Sequence, residues 1–172
     1  MKISSKFNKK EDGQGLVEFA LVIPLLLFVL LGVVEIGRIM FVYAATTTSA
    51  REGARYGIAI EENAEKVPHY LDCDGIRKAA QGIGKFAGVT DADVSIRYEI
   101  FAHPVYKAYD QNTWPDCGDV GLGPEDIDFG DRVEVTVIGE YNPIFVFLNF
   151  DGFKITSTSR RIIVKGIKVE ER

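Results

Sequence analysis

The chain has 172 residues and a net charge of −5, and 47% of its residues are hydrophobic. Once an apolar segment near the amino terminus is set aside, about 110 to 120 residues remain, which suits one compact domain better than two. The acidic balance argues against a nucleic-acid partner, because such partners are bound by clustered basic side chains.

Charge and hydropathy divide the amino-terminal region in two. The first thirteen residues carry four lysines and two acids, a net charge of +2, so the rest of the chain carries −7. No charged residue occurs from Phe19 to Val34, and as a helix this run would extend about 24 Å. Apolar residues on both sides lengthen it, which predicts a transmembrane helix that is tilted or pinned at the membrane interface. Because basic residues favour the cytoplasmic side, we expect the amino terminus inside and the following domain outside.

Polar and helix-weakening residues interrupt the apolar region at a few places. Pro24 and Gly32 are the positions least suited to a helix. Glu35 and Arg38 are three residues apart, and this spacing predicts an ion pair on one helix face.

A glycine precedes the apolar run instead of following it. A secretory signal is cut after its apolar core, behind small residues, so that the core is removed. Here the turn-forming pair Asp12-Gly13 comes before the core, and Glu18 lies five residues beyond Gly13. A charged leader, a glycine, a glutamate and then apolar residues are typical of prepilin processing sites. We therefore expect the apolar segment to be kept.

Small and apolar residues keep a helical spacing beyond the membrane segment. A helix from Gln14 to Ile60 is predicted, on the order of 70 Å long. Gly53 and Gly57 lie one turn apart on it and would allow a partner helix or sheet to approach closely. Packing of the helix against its own domain is an equally acceptable interpretation.

A second helix and three strands are predicted in the remainder. Asp74 is expected to cap the helix and Gly88 to end it. Its apolar stripe, expected in the core, consists of Ile76, Ala79, Ala80, Ile83 and Phe86. Residues 94–100, 133–137 and 154–165 are the candidate strands, the first two by their period-two alternation. The predicted class is α+β, with a long helix packed on a small antiparallel sheet of three to four strands and one short helix.

The two cysteines, Cys73 and Cys117, both fall in the region expected outside the membrane. Exported thiols tend to be oxidised, so we expect a disulfide between them, and two free thiols are the alternative. The sequence contains neither a CxxC redox motif nor a set of zinc ligands.

A long polar segment, His103 to Gly130, separates the first two strands. Its acids offer oxygen ligands for calcium, but they lack the EF-hand spacing, and a solvated acidic loop is the favoured interpretation. The acids of this region are Asp116, Asp119, Glu125, Asp126, Asp128 and Asp131. The apolar segment 144–150 either packs in the core or faces a partner.

Catalysis is not expected. His69 and His103 are the only histidines, and neither lies in a nucleophile or metal motif. No glycine-rich phosphate loop follows a strand. We expect no catalytic residues, no bound metal and no cofactor.

Three ordered motifs carry a family resemblance: GQGLVEFALVIP at residues 13–24, VEIGR at 34–38 and AREGARY at 50–56. Together they resemble the amino-terminal segment of the TadE-like family, the minor pilins or pseudopilins of tight-adherence pili. The resemblance covers about a quarter of the chain and implies a pilin-like α+β fold.

The resemblance also implies processing and partners. A prepilin peptidase would cut between Gly13 and Gln14, leaving 1–13 as the leader, 14–60 as the transmembrane and assembly helix, and 61–172 as the extracytoplasmic domain. The implied partners are the peptidase, other pilins or minor pilins, an inner-membrane assembly platform and membrane lipid. The implied cleavage residues are Gly13, Gln14, Glu18 and Phe19, and the implied assembly residues are Glu18, Pro24, Glu35 and Arg38.

Two alternatives stay open at this point. Glu18 either neutralises the new Gln14 amine or marks the membrane interface as an ordinary polar residue. The whole chain is either a processed pilin or an uncleaved single-pass anchor that presents an extracytoplasmic binding domain.

Overall fold

The structure is a computed structural model and describes residues 11–60, 62–101, 114–118, 122–144 and 152–165. Its main elements are helix α1 (Glu11–Gly57), helix α2 (Cys73–Gly84) and strands β1 (Val94–Glu99), β2 (Arg132–Tyr141) and β3 (Phe153–Ile162). Short 3-10 helices lie at His69–Leu71, Lys85–Ala87 and Asp91–Asp93. The predicted α+β class is confirmed.

The chain falls into two units, Met1–Ile39 and Met40–Arg172. The second half of α1 therefore belongs to the same unit as the sheet, and the first half forms a unit of its own. The two are described separately below.

The sheet has the order β1-β2-β3 and is antiparallel throughout. Val133, Val135 and Val137 of β2 are fully buried and lie opposite the buried residues Tyr98, Ile96 and Val94 of β1. The alternation in the sequence thus predicted the buried face of these two strands correctly.

Small residues allow the second half of α1 to lie close to the sheet. A Cβ atom added at Gly53 would stand 3.1 Å from both the Ala80 Cβ and the Val135 Cγ1. One added at Gly57 would stand 3.2 Å from the Ile76 Cδ1. On the strand side, a Cβ at Gly139 would collide with Thr46. Gly53 and Gly57 of α1 therefore serve in packing against β2 and α2 of the chain's own domain.

Helix α2 begins at a different cap from the one predicted. The N-cap is Asp72, whose Oδ1 accepts the Gly75 N–H at 2.9 Å. Asp74 lies in the first turn, with its Oδ1 3.6 Å from Arg77 Nη1. Asp72 is preferred because its other oxygen also accepts hydrogen bonds from Tyr56 and Asn63, so that one carboxylate satisfies three donors.

The apolar stripe predicted on α2 is only half correct. Ile76 and Ala80 are buried, but Ile83 is 44% exposed and Phe86 is 76% exposed. The α-helix ends at Gly84 and continues as a tighter 3-10 turn up to Gly88, which has the left-handed φ of +74°. This tightening rotates the following residues, and Ala87 and Val89 enter the core in place of Phe86.

A polar junction ties the end of α1 to the start of α2. The Tyr56 hydroxyl donates to Asp72 Oδ2 at 2.7 Å, and Asn63 Nδ2 donates to the same atom at 2.9 Å. Burial raises the pKa of Asp72, but the hydrogen bonds from Asn63, Tyr56 and Gly75 outweigh it and hold that pKa below 3.8. The hydrogen bond to Asp72, together with burial, raises the pKa of Tyr56 to about 12.

A disulfide closes the outer edge of β1. Cys73 and Cys117 are at disulfide distance, with their Sγ atoms 2.01 Å and their Cα atoms 5.8 Å apart. The Cys117 N–H donates to the Ile96 carbonyl at 2.9 Å, and the Tyr98 N–H donates to the Pro115 carbonyl at 3.0 Å. Residues 115–117 therefore run along β1 like a short extra strand.

Acids of the 116–131 region serve the local fold. Asp131 is buried and accepts hydrogen bonds from the N–H groups of Phe101 at 2.9 Å and Asp128 at 2.7 Å. Asp126 accepts one from Gly123 at 2.8 Å. Among the described residues no group of three or more acidic, histidine or cysteine residues is arranged to hold a metal ion; Asp119 lies outside them. In the segment 144–150, Ile144 is exposed and the rest lies outside the described residues.

Removing the disulfide should destabilise the domain that contains the sheet. The bond spans a sequence separation of 44 residues, and the chain-entropy relation assigns about 4 kcal/mol to a loop of that length. For the Cys73→Ser/Cys117→Ser variant of the full chain in detergent, we expect the Tm to fall by more than about 10 °C. Reduction of the wild-type protein should reproduce the fall, and an unchanged Tm in both cases would contradict the assignment.

Removing the Tyr56 hydroxyl should weaken the junction between α1 and α2. We expect Tyr56→Phe to lower the free energy of unfolding by about 1.5 kcal/mol at pH 7, because a carboxylate loses a donor. The pKa of Asp72 is lowered in the folded state, so this stabilisation is present above pH 3.8 and is lost as the pH falls through the folded value.

Denaturation with urea at pH 7 and at acid pH would measure both effects. Tyr43→Phe is the matched control, since it removes an exposed tyrosine hydroxyl from the same helix. Equal effects of the two variants, or a Tyr56→Phe effect that grows in acid, would show that Asp72 is not the relevant partner.

Candidate functional site

The first half of α1 exposes apolar side chains around its whole circumference. Leu16, Phe19, Leu21 and Leu25 are each more than 60% exposed, and most other apolar residues up to Ile36 are more than half exposed. Within the described part of the chain, α1 is the one helix that is long and apolar enough to cross a membrane. Its apolar window has a mean hydropathy of 2.8 and only 6% of that window is buried. Water is a poor solvent for such a surface.

The residues of the expected cleavage site lie within α1. The predicted turn at Asp12-Gly13 is wrong, because both residues are helical. A Cβ atom added at Gly13 would meet nothing within 4 Å. The fold itself therefore gives no reason for a glycine at this position.

Gln14 and Glu18 share one face of the helix. The Gln14 Nε2 donates to the Glu18 Oε1 at 3.3 Å. Glu18 is exposed, and its neighbours Val17 and Phe19 are exposed apolar residues. The carboxylate thus stands at the beginning of the apolar surface, one turn from the residue that would become the amino terminus after cleavage.

Glu35 and Arg38 form the predicted ion pair. The Arg38 Nη1 donates to the Glu35 Oε2 at 3.0 Å, and Glu35 is buried, with 8% exposure. Pro24 lies inside α1 without ending it. The structure therefore brings together two pairs, Gln14 with Glu18 and Glu35 with Arg38, and distributes them along the helix without forming a concave site.

A charged cluster on the sheet was missed by the sequence analysis. Arg97, Glu134 and Arg160 are register partners across the three strands. Glu134 is buried and accepts from Arg97 Nη2 at 2.8 Å and from Arg160 Nε at 2.5 Å. The ring of the buried Trp114 packs against both guanidinium groups, with centroid distances of 5.8 and 5.1 Å. One buried carboxylate thus holds two arginines under an aromatic cover.

The alternation of apolar and polar residues along β2 does not predict this cluster. Glu134 alternates with the valines of the strand, and a polar residue in that phase is typical of a solvent-facing position. It is bound by Arg97 and Arg160, and Trp114, which packs against these arginines, follows a long segment without periodicity. The cluster contains neither a nucleophile nor a general base with a cavity beside it, and its role is to hold the sheet and the 114–118 segment together.

Comparison with known proteins supports the resemblance found in the sequence. The family model described as TadE-like protein matches residues 13–55. The matched stretch lies entirely within α1, and it includes both polar pairs and the glycine at position 53 that packs against β2. No curated protein and no solved structure matches the chain. Residues 13–55 are thus similar to TadE-like proteins, and the domain that follows them has no matched relative.

Proposed function

We propose that this protein is a minor pilin or pseudopilin that is processed by a prepilin peptidase and helps to assemble a tight-adherence type IV pilus. The observation that carries the proposal is the place of the TadE-like match, which falls on a helix with an exposed apolar first half. This role is structural and needs no catalytic group.

The apolar surface of α1 supports a membrane location followed by assembly. In lipid, the exposed side chains of the first half contact acyl chains, and in a filament they contact the helices of other subunits. The Glu35–Arg38 pair suits both settings, because the two charges neutralise each other within the helix. Membrane lipid, other pilins and an inner-membrane assembly platform are the partners that follow from this role.

The orientation rests on charge and on the cysteines. The leader has a net charge of +2 and precedes the apolar segment, which favours a cytoplasmic amino terminus. The paired Cys73 and Cys117 fit an extracytoplasmic domain, where disulfides form and persist.

In this proposal Gly13 is needed for cleavage by the peptidase and not for the stability of the fold. Its position is open and helical, so a larger residue would be accommodated by the chain itself. A peptidase that cuts after residue 13 would need the small residue for access to the peptide bond. The leader 1–13 is then removed and the helix from Gln14 onward is retained.

Glu18 can neutralise the positive charge of the amino terminus that cleavage creates. The new ammonium group at Gln14 lies at the positive end of the helix dipole, where a positive charge is unfavourable. The Gln14 side chain already reaches Glu18 in the uncleaved chain, so the carboxylate is within one turn of the amine. It can neutralise the amine of its own chain or of a neighbouring subunit in an apolar setting.

An uncleaved membrane anchor with an extracytoplasmic binding domain is the second candidate. The observation that favours it is the continuous helix through Gly13 and Gln14, which presents no exposed turn to a peptidase. The amino-terminal residue of the protein purified from membranes separates the two candidates.

Substitution of Gly13 by phenylalanine should block processing. In cells with an active prepilin peptidase, we expect wild-type protein to begin at Gln14 and Gly13→Phe to remain heavier by the leader. Intact-mass spectrometry of the membrane-extracted protein measures both. Gly32→Phe is the matched control, because Gly32 is also an open glycine of α1. Wild-type protein that still begins near Met1 would reject processing.

Glu18→Ala should separate processing from assembly. The variant loses a charge pairing and gains apolar surface, so we expect it to be cut and to fractionate with membranes, but not to support pili or to co-purify with a partner pilin. Glu18→Gln should fail in the same way, since it keeps the size and removes the charge. Asp74→Ala removes an exposed acid from α2 and serves as the control.

Cleavage, membrane fractionation and pilus production should be scored in one strain. Normal piliation by both Glu18 variants would reduce Glu18 to an interfacial polar residue.

A further inference from the structure

We propose that the outer edge of β3 is a strand-addition site that binds an extended acidic segment of another protein. The inference concerns the folded outer domain and does not depend on whether the chain is processed or assembled into a pilus.

The two edge strands of the sheet, β1 and β3, differ in whether their outer side is covered. The outer edge of β1 is covered by residues 115–117, which the disulfide fastens in place. For β3, pairing is observed on the β2 side, from Tyr141↔Phe153 to Arg132↔Ile162. Within the described ranges no backbone hydrogen bond reaches the other side of β3. As far as the described residues go, the N–H and C=O groups on that side are available to another strand.

The shape of β3 suits strand addition. Its ten residues pair one-to-one with β2, so the strand carries neither a bulge nor a proline. The middle of the strand consists of the small polar residues Thr156, Ser157, Thr158 and Ser159. Natural sheets often protect an edge by making the strand short, bulged or interrupted by proline, or by placing charged side chains on it. An incoming backbone meets neither a bulge nor a proline along β3, and the charged side chains of the strand are all basic.

The basic side chains of β3 favour an acidic partner strand. Its ionisable residues are Lys154, Arg160 and Arg161, and none is acidic. Lys154 is the register partner of Glu140, and Arg160 is bound to Glu134. Arg161 is exposed and lies opposite the apolar Val133. An acidic side chain on an added strand would therefore find a cation at this end of the edge.

A second copy of the chain is disfavoured as the occupant. Pairing of β3 with a second β3 would bring no acidic side chain to Arg161, because β3 contains none, and a like charge opposite Arg161 would be destabilising. An acidic segment has the opposite effect. Apolar side chains add an anchor at the same end, since Ile162 and Val164 are both more than 40% exposed.

Hydrogen exchange with a defined peptide tests the site. The protein is the full chain in detergent. The probe is a synthetic ten-residue peptide of alternating threonine and valine with two aspartates, and its counterpart has lysines at those two positions. We expect the acidic peptide to protect amides of Phe153–Ile162 and to leave those of Val94–Glu99 unchanged. Its affinity, measured by fluorescence anisotropy, should exceed that of the lysine peptide by at least about tenfold.

Charge variants locate the contact. We expect Arg161→Glu to lower the affinity for the acidic peptide by about tenfold, and Lys85→Glu, which makes the same charge change on an exposed residue of the 3-10 helix after α2, to leave it unchanged. Circular dichroism confirms that both variants are folded.

Three outcomes would overturn the proposal. Equal binding of the two peptides would remove the acidic selectivity, and protection of residues outside β3 would place the site elsewhere. Protection of β3 that rises with protein concentration and without peptide would identify a second copy as the occupant.

Discussion

The close approach of α1 to β2 and α2 is the contact on which the outer domain depends. Gly53 and Gly57 on the helix and Gly139 on β2 remove the side chains that would keep the backbones apart. The valines of β2 then fill the space beneath the helix and are fully buried. A Cβ atom at Gly53 or Gly57 would require its neighbours to shift by a few tenths of an ångström, and one at Gly139 would require the Thr46 side chain to move. A larger residue at these positions would therefore overpack the contact of the helix with β2 and α2.

The same helix meets two different environments along its length. From Met40 to Gly57 it belongs to the folded domain, and its inward residues such as Ala50 and Ala54 are completely buried. Before Ile39 most of its apolar side chains are exposed. A helix that is apolar on all sides needs lipid or other helices around it. The TadE-like match spans both parts, so the similarity covers the exposed apolar half of the helix as well as the half that packs in the domain.

Local patterns in the sequence predicted those features that depend on neighbours in the chain. The alternation of Val133, Val135 and Val137 identified the buried face of β2, and the spacing of Glu35 and Arg38 identified their ion pair. The choice of Asp72 over Asp74 as the cap could not be predicted, because it depends on Tyr56 from another element. The exposure of Phe86 follows from a 3-10 turn that the apolar stripe does not encode. The cluster of Glu134 with two arginines is covered by Trp114, which is brought there by the pairing of residues 115–117 with β1.

The central claim is that the exposed half of α1 contacts other pilin subunits during assembly. A single cysteine at Val29, which is exposed on α1, tests it by in-cell oxidative cross-linking, since the native cysteines are paired with each other. Val29→Cys should give a disulfide adduct with a pilin that carries a cysteine at the matching helix position, only in cells that assemble pili. Lys78→Cys on α2 should give none. Adducts of equal yield in cells without the assembly machinery, or their absence in piliated cells, would contradict the claim.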